Sequence, residues 1–442
     1  MTDVLSPPDG TRSRPAGHPV RAALGAEFRR GFAPWTGPAV ALTLLVTMAA
    51  KADQWQGSWG ETQSLLHSGA TLLTGPLTAA AGCWQGGREH RRRTDGLWLS
   101  VPRSRLARLV TAAAPIAVWA VAGYLVALAG TFAATWPYTG AGGPSLTVVL
   151  ADVCFLVCAA FLGFVAGRVC RWRLTAPVVA AVAYVSLGAP SYVYSDVRFL
   201  SPAEQIPFGV PVWWFGPVMA AWLGGLTLAL VLGHAARHRF LAVVPLAVAA
   251  SVAPLIVHTG PDLFRDDPVA ARLVCGDTTP QVCVSGLDEP LLPQASEALA
   301  GLFSRLEGVP GAPVRYVDPA VRPRGGELAL PQLTRGWTVV RNRLVHPDAY
   351  ATDTVHNLMP SLDCPDRMYD DASAAATRIW DTDLAVQTWL APGADDGYPP
   401  EDSSHLAYVA RLTAMPDADR RIWLGRYLVL RGSCDPKEIP VL

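Results

Sequence analysis

Apolar and polar positions along the chain segregate on a scale far longer than a strand or an amphipathic helix repeat. Seven stretches are apolar on all sides: Phe32–Ala50, Leu65–Trp84, Leu109–Trp136, Leu146–Val165, Leu174–Pro190, Val210–Leu232 and Phe240–Val257. A bilayer-crossing helix needs about 20 predominantly apolar residues, so each is expected to span a membrane. The fifth is the shortest, and Gly75-Pro76 interrupts the second. Beyond residue 257 the pattern changes to that of a soluble domain. Leu291–Leu306 has helical amphipathic spacing, Val314–Val317 and Trp337–Leu344 read as strands, and Ser373–Leu390, Ser403–Thr413 and Asp417–Arg431 read as helices, with Trp380, Trp389, Trp423, Leu384, Leu424 and Leu428 supplying a core. The predicted fold is an α-helical polytopic membrane protein followed by an α+β domain. It divides into a cytoplasmic segment (1–31), a seven-span region (32–257) and an extracytoplasmic domain (258–442).

Charge supplies the orientation. Lys and Arg in the short loops around residues 12–30, 88–108, 168–173 and 237–239 number 17, against two, Lys51 and Arg198, in the alternate loops. Clustered Arg resists translocation, so the first set stays cytoplasmic. The expected topology is N-terminus in and C-terminal domain out, in the cell membrane. Val20–Arg30, with Val20, Leu24 and Phe28 four apart, has the spacing of an interfacial helix preceding the first crossing. The polar length before Phe32 does not fit a cleavable signal peptide. Only 16% of residues are charged, against roughly 25% in a soluble protein, and the deficit falls in the first 260 residues. Equal numbers of acidic and basic residues, 36 each, give no electrostatic basis for binding nucleic acid.

Cys275, Cys283, Cys364 and Cys434 all fall in the extracytoplasmic part, where oxidation is permitted. Four cysteines allow three pairings; the preferred one joins Cys275 to Cys283 across a small hairpin and Cys364 to Cys434 at the tail. Cys83, Cys154, Cys158 and Cys170 lie in or beside the spans and read as small apolar fillers. Asp152 is the exceptional ionisable residue within a span. It is either a residue near the interface reaching water or part of a translocation path. His67 and Lys51 fall at outer span ends, where they need no special account.

Neither a metal centre nor an enzyme is expected. His346 and His356 lack the His-Glu-x-x-His arrangement that places two imidazoles and a general base on one helix face, and no Gly-x-Ser-x-Gly elbow is present. The two lysines, Lys51 and Lys437, do not follow the glycine of a Walker A loop, so no ATP-hydrolysing site of that type is encoded and no cofactor is implied.

One loop carries more chemistry than a positive-inside cluster requires. Arg88-Glu89-His90-Arg91-Arg92-Arg93 leads through Gly96-Leu97-Trp98-Leu99 and Ser100-Val101-Pro102 to Arg103-Ser104-Arg105. This predicts a short cytoplasmic helix, a glycine break, an apolar patch rimmed by charge, a proline turn and a helix re-entering the membrane. Such a patch suits a docking surface, and Trp98 equally suits interfacial anchoring. The loop resembles the first intracellular loop of ABC type-2 exporter permeases, with Arg88, Glu89, Gly96, Leu97, Val101, Pro102, Ser104 and Arg105 at matching places. The interfacial helix and the aromatic outer excursion Ser191–Pro207 extend the resemblance over residues 20–235. It implies a permease subunit that pairs with itself or a sister permease and docks a separate ATPase through Arg88, Glu89, Gly96, Leu97, Trp98, Pro102 and Arg105. A seventh span and an external domain depart from the six-span pattern, in which respect the chain resembles actinobacterial permease-like proteins. The alternative is a non-transporting membrane protein whose external domain binds a ligand or partner.

Overall fold

The computed structural model describes residues 25, 28–29, 31–93, 104–170, 172–205, 209–359, 374–393, 404–431, 438–440 and 442. Among the described residues the chain is mostly helical, and five helices are long and apolar enough to cross a membrane. In chain order the first part contains α1 (Ala33–Ala50), α2 (Trp59–Ser68), a π turn (Gly69–Thr74), α3 (Gly75–Gly86), α4 (Arg88–Arg92), α5 (Arg105–Thr135), α6 (Leu146–Val169), α7 (Thr175–Gly188), α8 (Phe215–Ala235) and α9 (Val243–Thr259). The two expected spans missing from the five are explained locally. Leu65–Trp84 lies in an uninterrupted helical run that the π turn divides into α2 and α3, each below spanning length. Leu174–Pro190 forms the 14-residue α7, which passes into a 3-10 turn at Ala189–Tyr192 where Pro190 enters.

Small residues set the closest packing. Gly82-Cys83-Trp84-Gln85-Gly86 in α3 and Gly163-Phe164-Val165-Ala166-Gly167 in α6 are both Gly-x-x-x-Gly, and the two motifs lie against each other. A Cβ on Gly82 would lie 2.3 Å from the Ala160 carbonyl oxygen, and one on Gly86 would lie 2.2 Å from that of Phe164. Close backbone approach of this kind is how helices gain dispersion contact where lipid removes the hydrophobic drive to associate. The peripheral helices are packed differently: only Ala249 and Ile256 of α9, and Thr175 and Ala176 of α7, are buried.

The Arg-rich helix ends converge. Arg105, Arg168 and Arg239 all lie near His234 at the end of α8. Of the expected interfacial helix Val20–Arg30, the described residues Gly25, Phe28 and Arg29 are helical, and the Phe28 carbonyl accepts from Trp119 Nε1 at 3.1 Å. In the excursion between α7 and α8, Tyr192 and Tyr194 are exposed as an interfacial segment requires. Phe199 is not: it is buried on Phe215, Leu263 and Phe264 because strand β1 (Gly209–Pro211) pairs antiparallel with β2 (Phe264–Asp266) and draws the two segments together.

The C-terminal part is α+β. Strands β3 (Leu273–Cys275), β4 (Gln281–Ser285), β5 (Arg315–Val317) and β6 (Glu327–Ala329) form one sheet in that order, β3 antiparallel to β4 and the rest parallel. Helix α10 (Leu292–Leu306) connects β4 to β5 and buries Ala295, Leu299, Leu302 and Leu306 on the sheet. Trp337–Leu344, expected as one strand, is instead the hairpin of β7 (Val339–Val340) and β8 (Arg343–Leu344). Arg341 and Asn342 both take positive φ, the condition for the tight turn that folds the run back on itself. Helices α11 (Pro347–Leu358), α12 (Ala374–Leu390), α13 (Ser404–Ala414) and α14 (Asp417–Leu430) complete the domain. Leu424 lies in the core as expected, whereas Trp380 is 54% exposed and contributes little. Cys275 and Cys283 stand opposite each other on β3 and β4 and form a disulfide. Cys364 and Cys434 lie outside the described residues.

This domain rests on the loops that join α1 to α2 and α5 to α6. Arg341 Nε donates to Gln56 Oε1 at 2.6 Å, its guanidinium lies over the Tyr138 ring, and Gly336 packs on Gln54.

Candidate functional site

Two polar constructions stand out. The first is at the Arg-rich end. Helix α4 follows α3 after the single residue Gly87, so its side chains are held beside the end of α6. Glu89 is buried and forms an ion pair with Arg168 of α6, and His90 Nε2 contacts the Arg168 carbonyl at 3.2 Å. Arg91 donates to the Trp84 carbonyl and places its guanidinium 3.9 Å from the centre of the Trp84 ring. Arg91, Arg92 and Arg93 are exposed. A charge removed from water must be paired, so the Glu89–Arg168 contact fixes α4 on α6 while Arg92 and Arg93 stay exposed. Arg88 is half-buried, and Arg105 is exposed in the first turn of α5, where the Ser104 hydroxyl accepts from the Ala107 amide at 3.1 Å. Gly96, Leu97, Trp98 and Pro102 lie outside the described residues.

The second construction is inside the helix assembly. Asp152 of α6 is 1% exposed; one carboxylate oxygen contacts His67 Nδ1 of α2, and the other accepts from the Tyr124 hydroxyl of α5 at 2.6 Å. All three side chains are buried. His67 therefore does need an account: it is the partner of Asp152, not a residue at a watery span end. The spacing of 85 residues conceals the pairing in the sequence, although a histidine two residues before an apolar glycine-containing run was available as a signal.

Helix α2 carries further polar links. Thr62 and Thr135 hydroxyls lie 2.8 Å apart, Gln63 makes two hydrogen bonds to the Ser145 backbone at 2.6 and 2.7 Å, and Gln205 bonds Ser64 and Ser68. Successive turns of α2 thus hold α5, the start of α6 and the excursion after α7. Nearer the C-terminal domain, Glu61 of α2 is faced by Arg335. Among the described residues no three of His, Cys, Asp or Glu converge as a metal ion would require.

No family model, curated protein or solved structure matches the chain.

Proposed function

We propose that the chain is the membrane-spanning subunit of an ABC-type exporter, powered by a separate ATPase docked on residues 88–105. In this reading it crosses the bilayer seven times, with α2, the π turn and α3 together forming the second crossing and α7 the fifth. The N-terminus is cytoplasmic and residues 258–442 are outside. A second copy or a sister permease completes the translocation path.

The observation that carries the reading is the fastening of α4. A docking element must transmit force to the helices it serves, and an exposed loop free to swing transmits little. Glu89, buried against Arg168, couples α4 to α6, while α3 continues into α4 almost without a break. Three exposed arginines present the outward side of this element. The 17-to-2 bias of basic loop residues supports the placement of that end in the cytoplasm. The anchored histidine–carboxylate network supports a transporting rather than a passive membrane part, since buried ionisable groups are costly in lipid and are retained where they act.

The test is whether an ATPase subunit co-purifies with the full-length chain. Trp98→Glu and Leu97→Asp are expected to abolish retention of that subunit while leaving the chain monodisperse. Retention unchanged by both substitutions removes the docking assignment and favours a non-transporting protein with a ligand-binding external domain.

A further inference from the structure

The face of the C-terminal sheet turned away from α10 carries a row of side chains with chemistry of their own. Successive residues of a strand point to opposite sides, so Val282, Val284 and Tyr316, which pack in the core with α10, put Cys283 and Arg315 on the other face. The register supplies their neighbours: Cys275 stands opposite Cys283, and Glu327 stands opposite Arg315. Cys283 pairs with Val317 and Arg315 with Gln281, so the cysteine and the arginine are diagonal neighbours, a spacing that a long side chain bridges. The guanidinium does so with three of its donors. Nε donates to Cys283 Sγ and Nη2 to Cys275 Sγ, both at 3.2 Å, while Nη1 donates to Glu327 Oε1 at 2.9 Å. Glu327 is held in turn by the Arg324 amide, which donates to Oε2 at 2.9 Å.

A sulfur in a disulfide is neutral and a weak acceptor, so two guanidinium donors gain little from it as it stands. They gain far more from a sulfur that carries charge, which is what a cleaved disulfide presents. A neighbouring arginine favours a thiolate over a thiol, and a better-stabilised thiolate leaves faster. Donors already aimed at the atom where negative charge develops act without rearrangement.

We infer that Cys275–Cys283 is an exchange-competent disulfide, opened by an external dithiol, with Arg315 holding the sulfur that leaves. Cys275 is half-buried and Cys283 is fully buried, so attack falls on Cys275. A thiolate of the dithiol bonds to Cys275 Sγ; the bond between the two cysteines breaks, and its electron pair stays on Cys283 Sγ beside Nε. The second thiol of the reagent, having given its proton to water, attacks the reagent sulfur of the mixed disulfide and expels Cys275 as a thiolate beside Nη2. The reagent ends as a disulfide, the protein has gained two electrons, and the two protons of the dithiol are in solvent or on the cysteines. Strand β3 is the first of this sheet that the chain reaches after α9 and β2, and it lies at the sheet edge. Exchange therefore removes the covalent tie between that edge and β4.

The full-length chain in lipid nanodiscs, treated with dithiothreitol at pH 7, tests this, with the state of Cys275 and Cys283 read by alkylation and mass spectrometry of their peptides. The native chain is expected to be reduced about tenfold faster than Arg315→Met, with Arg315→Lys between the two. Unfolded in urea, where the sheet no longer sets the arginine on the sulfurs, all three are expected to react at one rate. Glutathione, a monothiol, marks the sulfur attacked: the adduct trapped by acid quenching of the native chain is expected on Cys275. Variants that are folded by circular dichroism and react as fast as the native chain, a native advantage that persists in urea, or an adduct on Cys283 each overturn the inference, and the last needs no variant. The measurement involves neither an ATPase nor the sidedness of the membrane, so its failure leaves the docking proposal standing, and the converse also holds.

Discussion

Gly163 lies so close to the carbonyl of Ala79 that a Cβ built on it would be 2.0 Å from that oxygen, and Gly167 stands in the same relation to Cys83. Neither obstruction is the flexible end of a side chain. Backbone must shift, and with it the whole contact of α3 on α6. Gly163→Leu and Gly167→Leu are each expected to destabilise the chain by about 3 kcal/mol or more, at the upper end of what overpacking costs. Gly188→Leu, with open space around its Cα, is expected to be near neutral. Thermal unfolding of the purified chain, followed by loss of the monodisperse peak, distinguishes the two classes.

Glu89 and Arg168 allow a test by charge exchange. Arg168→Gln removes the partner of the buried Glu89 carboxylate, at a cost of about 3–5 kcal/mol in comparable buried pairs, while Glu89→Gln, which leaves the half-buried Arg168, is expected to cost less. Each single change is expected to lower the melting temperature and loosen α4, read as faster hydrogen exchange in residues 87–93. The double exchange Glu89→Arg with Arg168→Glu is expected to recover part of both losses. Independence of the two single effects would show that the pair does not fasten α4.

In the C-terminal domain, Arg431 reaches Asp383 through Nε and Nη2 at 2.7–3.0 Å, and the Tyr427 hydroxyl donates to the same carboxylate. Asp383→Ala takes this carboxylate away from the buried Arg431 guanidinium and from the Tyr427 hydroxyl. The expected loss is about 3–5 kcal/mol. Fluorescence of Trp389 and Trp423, which pack beside this core, reports it in denaturant titrations of the full chain.

Asp288 gives a pH dependence with a definite sign. Burial pushes its carboxyl up, although Arg335 at 2.7 Å opposes the shift. A carboxyl raised in the folded state binds more protons folded than unfolded, so its contribution is present at low pH and is lost as pH rises through the folded-state value. Relative to Asp288→Asn, the native chain is expected to lose stability between about pH 4 and the folded-state titration, by about 1.4 kcal/mol for each unit the carboxyl is raised. A difference that stays flat over this window would refute the assignment.

The sequence disclosed the rods more readily than their contacts. Unbroken apolar runs such as Leu146–Val165 need no partner to be recognised, and α6 covers that run. The π turn was foreshadowed by Gly75-Pro76, although its effect of dividing the run into two shorter helices depends on packing. The mutual Gly-x-x-x-Gly motifs were present as letters, but which two faced each other is a property of the assembly. His67 looked peripheral because hydropathy places a residue along a helix and says nothing of what lies beside it. In the C-terminal domain, α10 was legible from its strongly one-sided apolar pattern. The three-residue strands β3, β5 and β6 are too short for alternation to mark fully, and the Arg341-Asn342 turn hid within a run rich in valine.

The tethering of α2 to α5, α6 and the excursion by side-chain hydrogen bonds has a mechanical corollary. Elements cross-linked at several levels translate as a block, so relative motion concentrates where few side chains interlock. Helices α7 and α9, of which few side chains are buried, are therefore where displacement within the helix assembly is expected to concentrate.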